Sequence, residues 1–258
     1  GLDPLSGAEY ERRKIPSEDV FPMLYLKYRL EGGNHSHKNI KHLVIDEMQD
    51  YSRLQYLIIR RMFSCKMTIL GDRAQTMADQ QQDVLQFLPG IFGKDLRRIE
   101  MRKSYRNTVE IASYAANLIG VTDLELFERH GMPVLERDVT DLEAALREAV
   151  DTLFPEEKTY ETAAVIVPDE KTAERAYLIL REILAEKDFD CEKRLSWLNR
   201  DSSSFKKGLT VTTFYLAKGL EFDQVFSIFP KDEKREMMMQ AQYIAATRAL
   251  HELRVYHI

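Results

Sequence analysis

The chain has 258 residues, of which 44% are hydrophobic and 31% charged, and its formal net charge is −5. These proportions are typical of a folded protein with a buried core, and they exclude disordered, collagen-like and low-complexity chains. The longest apolar runs fall far short of the roughly 20 residues that a bilayer-spanning helix needs, so no membrane span is expected. Cys65 and Cys191 predict neither a disulfide framework nor a zinc site, and a reducing, cytoplasmic location is expected.

The acidic charge balance argues against a protein that coats nucleic acid through bulk positive charge. A local cluster of basic residues nevertheless lies in the middle of the chain, and its members are Lys94, Arg97, Arg98, Arg102, Lys103 and Arg106. Because the local charge along a groove decides whether a strand binds there, nucleic-acid binding stays open.

Hydrophobic periodicity predicts strands that alternate with helices. The predicted strands are 41–45, 67–70, 96–101, 163–167, 209–213, 224–229 and 253–257, and the predicted helices are 52–62, 140–153, 171–186 and 237–250, with a further helix from Asn107. Ser52 and Gln55 fit a capping box, and Asn107 is predicted to cap its own helix. Because parallel strands need crossover connections, the alternation predicts an α/β fold with a mainly parallel sheet.

Pro89, Gly90 and Gly93 predict a domain boundary near residues 89–94. Two domains are therefore expected, residues 1–93 and residues 94–258. The first 20 or so residues carry no clear pattern. The stretch 200–207 is predicted to be a loop because serines interrupt it.

Two acids follow the first predicted strand, in the octet LVIDEMQD at 43–50. Ligands of parallel α/β proteins bind beyond the carboxyl ends of the strands. In nucleotide-hydrolysing proteins an Asp at such a position holds Mg²⁺ and a neighbouring acid polarises the attacking water. Asp46 and Glu47 are therefore candidates for phosphate chemistry; the alternative is that they only cap and solvate a strand end.

A second octet, TILGDRAQ at 68–75, repeats the pattern of a strand that ends in polar residues. Gln75 follows Asp72 by three positions, and a neutral amide there could hydrogen-bond a γ-phosphate oxygen. Gly-Asp alone is a common turn. Two such octets at this spacing are much less common, which favours a shared site.

The two octets resemble motifs II and III of the superfamily 1 DNA helicases of the UvrD/Rep type. Further segments resemble motifs IV, V and VI in the same order, namely KSYRNT at 103–108, VTTFYLAKGLEFD at 211–223 and QYIAATRAL at 242–250. The resemblance implies RecA-like (P-loop NTPase-type) parallel sheets flanked by helices, in one partial and one complete domain. Residues 1–93 would be the C-terminal part of the first domain, and residues 94–258 would be the second.

The resemblance implies ATP and Mg²⁺ as cofactors. In the first octet Asp46 would bind Mg²⁺ and Glu47 would activate the hydrolytic water. In the second octet Gln75 would sense the γ-phosphate. In the segment that resembles motif V, Thr213 would touch single-stranded DNA.

The remaining implied roles belong to residues that would surround the nucleotide from the second domain. Tyr105 would stack on the adenine, and Arg106 and Arg248 would contact the γ-phosphate. Glu221 would bond the ribose hydroxyl, and Gly219 would allow close backbone approach. From the residues alone, Arg248 could equally be a cation that offsets the dipole at a helix end, and Gly219 could belong to an ordinary turn.

The sequence departs from the family in lacking a G-x-x-x-x-G-K-[ST] phosphate loop, and the segment GIFGKD at 90–95 is only a partial match. We therefore expect the first part of the first domain to lie upstream, and we expect the isolated chain to be inactive or nearly so. Tyr215 and Leu216 stand where the family usually has His and a basic residue. This variation is closer to the HelD-like, helicase-IV-like subgroup, some members of which bind RNA polymerase.

The predicted function is the C-terminal part of an ATP-dependent superfamily 1 DNA helicase or translocase that moves on single-stranded or partly duplex DNA. One alternative is a HelD-like ATPase that remodels RNA polymerase complexes. The spacing between motifs IV and V leaves no room for the long inserted subdomain of UvrD and Rep, which favours translocation or displacement of a protein over robust unwinding. The other alternative is a non-catalytic module that retains the fold, and the intact motif residues argue against it.

Overall fold

The computed structural model describes residues 15–31, 37, 39–72, 75, 83–101, 103–122, 125–187, 189–200, 202, 207–231 and 236–258. By their contacts these residues form two compact units, one ending at Ile99 and one beginning at Glu100. None of the helices within these ranges is long and apolar enough to cross a membrane.

The first unit contains a two-stranded parallel sheet and three helices. Its elements are α1 (Ser17–Leu30), β1 (His42–Ile45), a 3₁₀ turn (Met48–Asp50), α2 (Arg53–Met62), β2 (Lys66–Ile69) and α3 (Val84–Phe92). The core joins Ile45 of β1 to Tyr56 of α2 and Leu88 of α3, so one face of the sheet packs on these two helices. The other face is open at Val44, whose side chain is 58% exposed.

Helix α2 begins with the predicted capping box. The Ser52 hydroxyl accepts a hydrogen bond from Gln55 N at 3.3 Å, and Ser52 N donates to Gln55 Oε1 at 2.7 Å. These reciprocal bonds satisfy backbone donors that a helix start leaves without intrahelical partners. The predicted helix over 52–62 is therefore confirmed.

The second unit contains a six-stranded sheet that is parallel throughout. Its elements are β3 (Lys103–Ser104), α4 (Val109–Leu118), β4 (Glu125–Leu126), β5 (Leu135–Asp138), α5 (Leu142–Asp151), β6 (Thr162–Val167), α6 (Glu170–Ala185), α7 (Cys191–Arg194), β7 (Leu195–Trp197), β8 (Gly208–Thr213), β9 (Phe222–Phe229), α8 (Glu236–Thr247) and β10 (Ala249–His257). The strand order is β5-β10-β9-β6-β8-β7, and β3 pairs separately with β4.

Helices cover both faces of this sheet, and alternate residues of the central strand β6 serve each face. Ala163 and Val165 belong to a core cluster that includes residues of α5 and α6. Ala164 and Ile166 belong to a second cluster that includes residues of α4 and α8. Strands buried on both faces have continuous apolar sequences, as β6 does. The predicted α/β fold with a mainly parallel sheet is confirmed.

Three local predictions were wrong. Residues 96–101 are not a strand, because Ile99 and Met101 are 86% and 85% exposed and the segment has no apolar face to bury. The cap of α4 is Thr108, whose hydroxyl accepts from Ile111 N, while Asn107 points elsewhere. The helix predicted over 237–250 ends at Thr247, where the chain turns into β10.

Candidate functional site

One candidate site lies in the first unit, at the carboxyl ends of β1 and β2. The ladder continues past the strands, since Leu70 N donates to Ile45 O and Met48 N donates to Leu70 O, both at 2.8 Å. The residues that follow the two strands are therefore neighbours. Asp46 and Glu47 lie on one side of this junction, and Asp72 lies on the other.

A chain of hydrogen bonds joins the two octets. Gln49 Nε2 donates to Glu47 Oε2 at 2.5 Å, and Gln49 Oε1 accepts from Asp72 N at 3.1 Å. Asp72 Oδ2 then accepts from Gln75 Nε2 at 3.0 Å. The structure thus brings Glu47 and Gln75 into one network, and the residues that connect them are Gln49 and Asp72.

Backbone conformation fixes the direction of the acids. The backbone of Glu47 has φ 52° and ψ 51°, which lies in the left-handed region that residues other than glycine rarely adopt. Its amide donates to Asp46 Oδ1 at 2.8 Å. A Cβ at Gly71 would overlap the Met48 side chain and lie 2.5 Å from Gln49 Oε1. Glycine at position 71 is therefore what allows the two strand ends to approach.

Asp46 is suited to be one ligand of Mg²⁺. Its carboxylate is exposed beyond the end of β1. Mg²⁺ in phosphate-transfer sites takes one or two carboxylates and completes its shell with water and substrate oxygens. Within the described part of the chain no three His, Cys, Asp or Glu side chains form a metal cluster. A single exposed carboxylate at this position fits a Mg²⁺ ion that takes its other ligands from water and substrate.

A separate candidate site lies in the second unit, at the amino ends of β9 and β10. Glu221 immediately precedes β9, and its Oε1 lies 2.7 Å from Arg106 Nε. The two side chains are 42% and 47% exposed, so a ligand can reach both. The structure thus pairs two predicted site residues that are distant in the sequence. A guanidinium beside a carboxylate offers partners for phosphate and for hydroxyl groups.

Arg248 lies close in the fold but is buried, with 1% of its surface exposed. Its guanidinium donates to Ile244 O at 3.3 Å, to Leu220 O at 3.4 Å and to Thr247 Oγ1 at 3.2 Å. These contacts place a cation at the C-terminal end of α8, where it offsets the helix dipole. Arg248 therefore has the geometry of a helix-end cation, which was the alternative to a phosphate-binding role. Its contact with a phosphate stays a prediction.

Tyr105 and Gly219 both present open surface. The Tyr105 ring is 60% exposed and lies 5.5 Å from the Phe127 ring, centroid to centroid. Lys103 Nζ lies 5.5 Å from the Tyr105 centroid. Gly219 has φ +75°, and nothing in the protein lies within 4 Å of where its Cβ would stand. Its positive φ favours glycine.

Thr213 lies at the opposite edge of the sheet from Glu221. It pairs with Val167 at the carboxyl ends of β8 and β6, whereas β9 begins one residue after Glu221 at the amino edge. Thr213 is 1% exposed, and its hydroxyl has no hydrogen-bond partner among the described residues. The structure does not bring it to the Arg106–Glu221 pair.

Glu110 lies in the first turn of α4, shortly after Arg106 in the sequence, and its pKa is far below the ordinary value. His130 Nδ1 lies 2.9 Å from Glu110 Oε1, and Gly131 N donates to Glu110 Oε2 at 2.8 Å. The hydrogen bond with His130, aided by that from Gly131, lowers the pKa of Glu110 from 4.5 to about 2. Glu110 is therefore ionised wherever the protein is folded near neutral pH.

Sequence reasoning missed the residues that connect the site rather than those that bear its chemistry. Gln49 and Asp72 lie inside the two octets. For Gln49 the available signal was a polar amide two residues after the acid pair Asp46–Glu47. Asn107 was assigned to a helix cap, but its side chain donates to Thr247 O at 3.2 Å and to Ala249 O at 2.6 Å. No local pattern reveals a bond across that length of sequence.

The fold and the site together define an α/β protein with polar residues after parallel strands, which is the arrangement of ligand-binding α/β domains. No protein-family model and no curated protein matches the sequence. A solved C-terminal domain of a possible DNA helicase from Lactobacillus plantarum WCFS1 is similar, with 23% identity and a TM-score of 0.45 over 60% of this chain and 88% of that one.

Two viral structures are also similar. The PRRSV helicase shares 17% identity, with a TM-score of 0.45 over 88% of this chain and 36% of its own. An arterivirus nonstructural protein 10 helicase in complex with DNA shares 14% identity, with a TM-score of 0.45 over 84% of this chain and 39% of its own. The chain thus spans well under half of either viral helicase. Likenesses this distant do not define its function.

Proposed function

We propose that this chain is the C-terminal part of an ATP-dependent superfamily 1 DNA helicase or translocase. In this proposal the first unit, which ends at Ile99, completes a first RecA-like domain, and the second unit, which begins at Glu100, forms the second. The observation that carries the proposal is the network from Glu47 through Gln49 and Asp72 to Gln75. It joins the two segments that resemble motifs II and III, and it does so at the strand ends where phosphate chemistry is expected.

The proposed roles follow from the chemistry of each group. Bound Mg²⁺ would neutralise charge on the phosphates, with Asp46 as its protein ligand. Glu47 would accept a proton from the attacking water, held in direction by its hydrogen bond from Gln49. Gln75 would hydrogen-bond the γ-phosphate, and losing that phosphate would alter the hydrogen bond between Gln75 and Asp72. Movement on single-stranded DNA would be coupled to this change.

The second unit would supply the groups that recognise the nucleotide. Tyr105 offers an exposed ring for the adenine, and Glu221 offers a carboxylate for the ribose. Arg106 is accessible for the γ-phosphate, whereas Arg248 would act there only if its guanidinium became accessible. Thr213 and the adjoining backbone are proposed to face single-stranded DNA at the other edge of the sheet.

Arginines that reach the transferred phosphoryl group supply about 10³ to 10⁵ in rate in related nucleoside triphosphatases. We therefore expect Arg106→Ala to lower turnover of Mg-ATP by at least about 10³-fold in the full-length protein, and Asp46→Asn to abolish its response to Mg²⁺. The measurement is steady-state phosphate release with and without single-stranded DNA. Glu143→Gln, at an exposed ion pair on α5, is the matched control.

The result that contradicts the proposal is turnover in Asp46→Asn and Arg106→Ala equal to that of the control. The isolated chain is expected to hydrolyse ATP slowly or not at all. Vigorous hydrolysis by these 258 residues alone would show that the phosphate loop is not needed, and the helicase assignment would then fail.

Tyr215 favours the HelD-like subgroup as a second candidate. Its hydroxyl donates to Glu170 Oε1 at 2.9 Å, and the same oxygen lies 2.8 Å from Arg200 Nε. Tyr215 thus forms part of a polar cluster at the carboxyl edge of the sheet. In this version the full-length protein remodels RNA polymerase complexes, and ATP-dependent release of polymerase from DNA would be the activity to measure.

A further inference from the structure

A short segment, Phe127–Gly131, lies across the start of α4. The Phe127 ring contacts that of Tyr105, and Arg129 O accepts from Val109 N at 2.9 Å. Gly131 comes so close to Thr108 that a Cβ on it would stand 2.6 Å from Thr108 Cγ2. We call Phe127–Gly131 the strap segment. Its contacts cover most of the stretch 105–110, which includes Arg106 and leads into α4.

Arg129 is the residue of the strap segment that reaches furthest. Its Nη2 donates to the backbone oxygen of Arg106 and, at 2.9 Å, to the backbone oxygen of Leu250. Leu250 lies two residues after Arg248, at the start of β10. One guanidinium nitrogen therefore ties the backbone at Arg106 to the strand that follows Arg248.

Asn107 makes a parallel connection. Its side-chain amide donates to Thr247 O and Ala249 O, the residues on either side of Arg248. The adjoining residues Arg106 and Asn107 are thus fastened to the same turn by two independent polar contacts. Asn107 is 7% exposed and lies within the packed interior. Arg129 is not part of α4, and it is the residue that donates a hydrogen bond to Arg106 itself.

The Arg106 side chain needs such fastening because it is half exposed and long. An exposed ion pair loses side-chain entropy when it is held in one geometry and by itself contributes little. Fixing the backbone on which Arg106 stands lowers the entropy that is lost when the side chain forms its 2.7 Å contact with Glu221. Displacing a catalytic group by about 1 Å lowers rate by about 10²-fold.

We propose that Arg129 is a positioning residue that fixes the backbone of Arg106, so that the Arg106–Glu221 pair faces the nucleotide. The role in catalysis rests on the proposed function, whereas the positioning of Arg106 can be tested by itself. Arg129 touches no nucleotide in this proposal. It acts through the carbonyl of Arg106.

The first experiment measures the geometry without any activity. In ¹⁵N spectra of the 258-residue chain, the Arg106 Nε–Hε signal is assigned by its loss in Arg106→Lys. Glu221→Gln moves the signal to its unpaired position. We expect Arg129→Met, which keeps an apolar stem of similar length, to move it in the same direction. Arg147→Met, which removes an exposed arginine from α5, leaves it in place.

The second experiment measures ATP turnover by the full-length protein. We expect Arg129→Met to lower kcat by about 10- to 100-fold. Arg129→Lys should lie between Arg129→Met and the wild type, since both carbonyl contacts come from one nitrogen. In an Arg106→Ala background Arg129→Met should produce no further loss, because two residues that act as one unit are not additive.

The outcomes separate the two claims. If Arg106→Ala leaves turnover unchanged, the proposed function fails, and the NMR signal still decides the positioning. If Arg106→Ala lowers turnover but Arg129→Met behaves like Arg147→Met, the positioning role is overturned. It is also overturned if the Arg106 signal does not move, or if Arg129→Met lowers turnover equally with and without Arg106.

Discussion

The single residue with the clearest consequence is Gln49, because it is buried and both ends of its amide are bonded. Its side-chain nitrogen donates to the Glu47 carboxylate, and its side-chain oxygen accepts from the backbone amide of Asp72. A side chain without these groups would remove the hydrogen bond that the partly buried Asp72 amide donates to Gln49. Such a loss costs about 1–3 kcal/mol, and the Glu47 carboxylate would also lose its direction.

We therefore expect Gln49→Met to lower the free energy of unfolding of the first unit by about 1–3 kcal/mol. In the full-length protein it should also lower ATP turnover, which depends on Glu47. Urea unfolding followed by circular dichroism gives the first quantity and phosphate release the second. Gln86→Met, at an exposed position of α3, is the matched control. Equal stability of the two variants would show that the network does not hold the strand ends together.

Glu110 provides a prediction that depends on pH. Its pKa is lowered from 4.5 to about 2 in the folded protein by the hydrogen bond with His130 and then by that from Gly131. A lowered pKa means that the carboxylate stabilises the fold above about pH 4.5. This contribution is lost as the pH falls from about 4.5 to about 2, because in that window the unfolded state binds the proton and the folded state does not.

The wild type should therefore lose stability over that window more steeply than Glu110→Gln, which has no proton to take up there. Urea midpoints of Trp197 fluorescence, measured at intervals of pH, give the slope for the second unit. If the slope of Glu110→Gln is that of the wild type, the strap segment does not hold Glu110 in its ionised form.

At the scale of elements, sequence periodicity predicted the strands that are buried on both faces of the sheet and missed the very short strands. Strand β6 is an almost continuous apolar run, and β8 and β9 are buried along most of their length. Their parallel arrangement in one sheet was predicted from the alternation with helices. Strands β3 and β4 have two residues each, too few to show any period. The segment 96–101 has strand-like spacing but no partner surface, so periodicity alone was misleading.

The candidate site was predictable where its residues follow strands and unpredictable where side chains cross the fold. Asp46 and Glu47 could be placed because strand ends are defined by local sequence. The burial of Arg248 and the bonds of Asn107 depend on where α8 ends relative to α4. Contacts between residues more than a hundred positions apart leave no mark in local sequence. Arg129 was missed for the same reason.

The whole molecule combines two units with very different amounts of core. The second unit has a six-stranded sheet with a packed cluster on each face. The first has two parallel strands, one packed face and an exposed Val44 in the middle of β1. Parallel sheets are ordinarily covered on both faces, and small sheets are marginal by themselves. The first unit should therefore be the less stable of the two.

Trp197 is the one tryptophan of the chain and lies in β7, with its ring 6.0 Å from that of Tyr177. Its fluorescence therefore reports the second unit alone, whereas far-ultraviolet circular dichroism reports both. In urea we expect the dichroism to fall in two steps, the first at a concentration where Trp197 fluorescence is unchanged. A fragment of residues 100–258 should show only the later step, at the same midpoint, because its core is complete without the first unit. Coincident transitions by both probes in the 258-residue chain, or a lower midpoint in the fragment, would mean that the units unfold as one and that the separate cores do not set their stabilities.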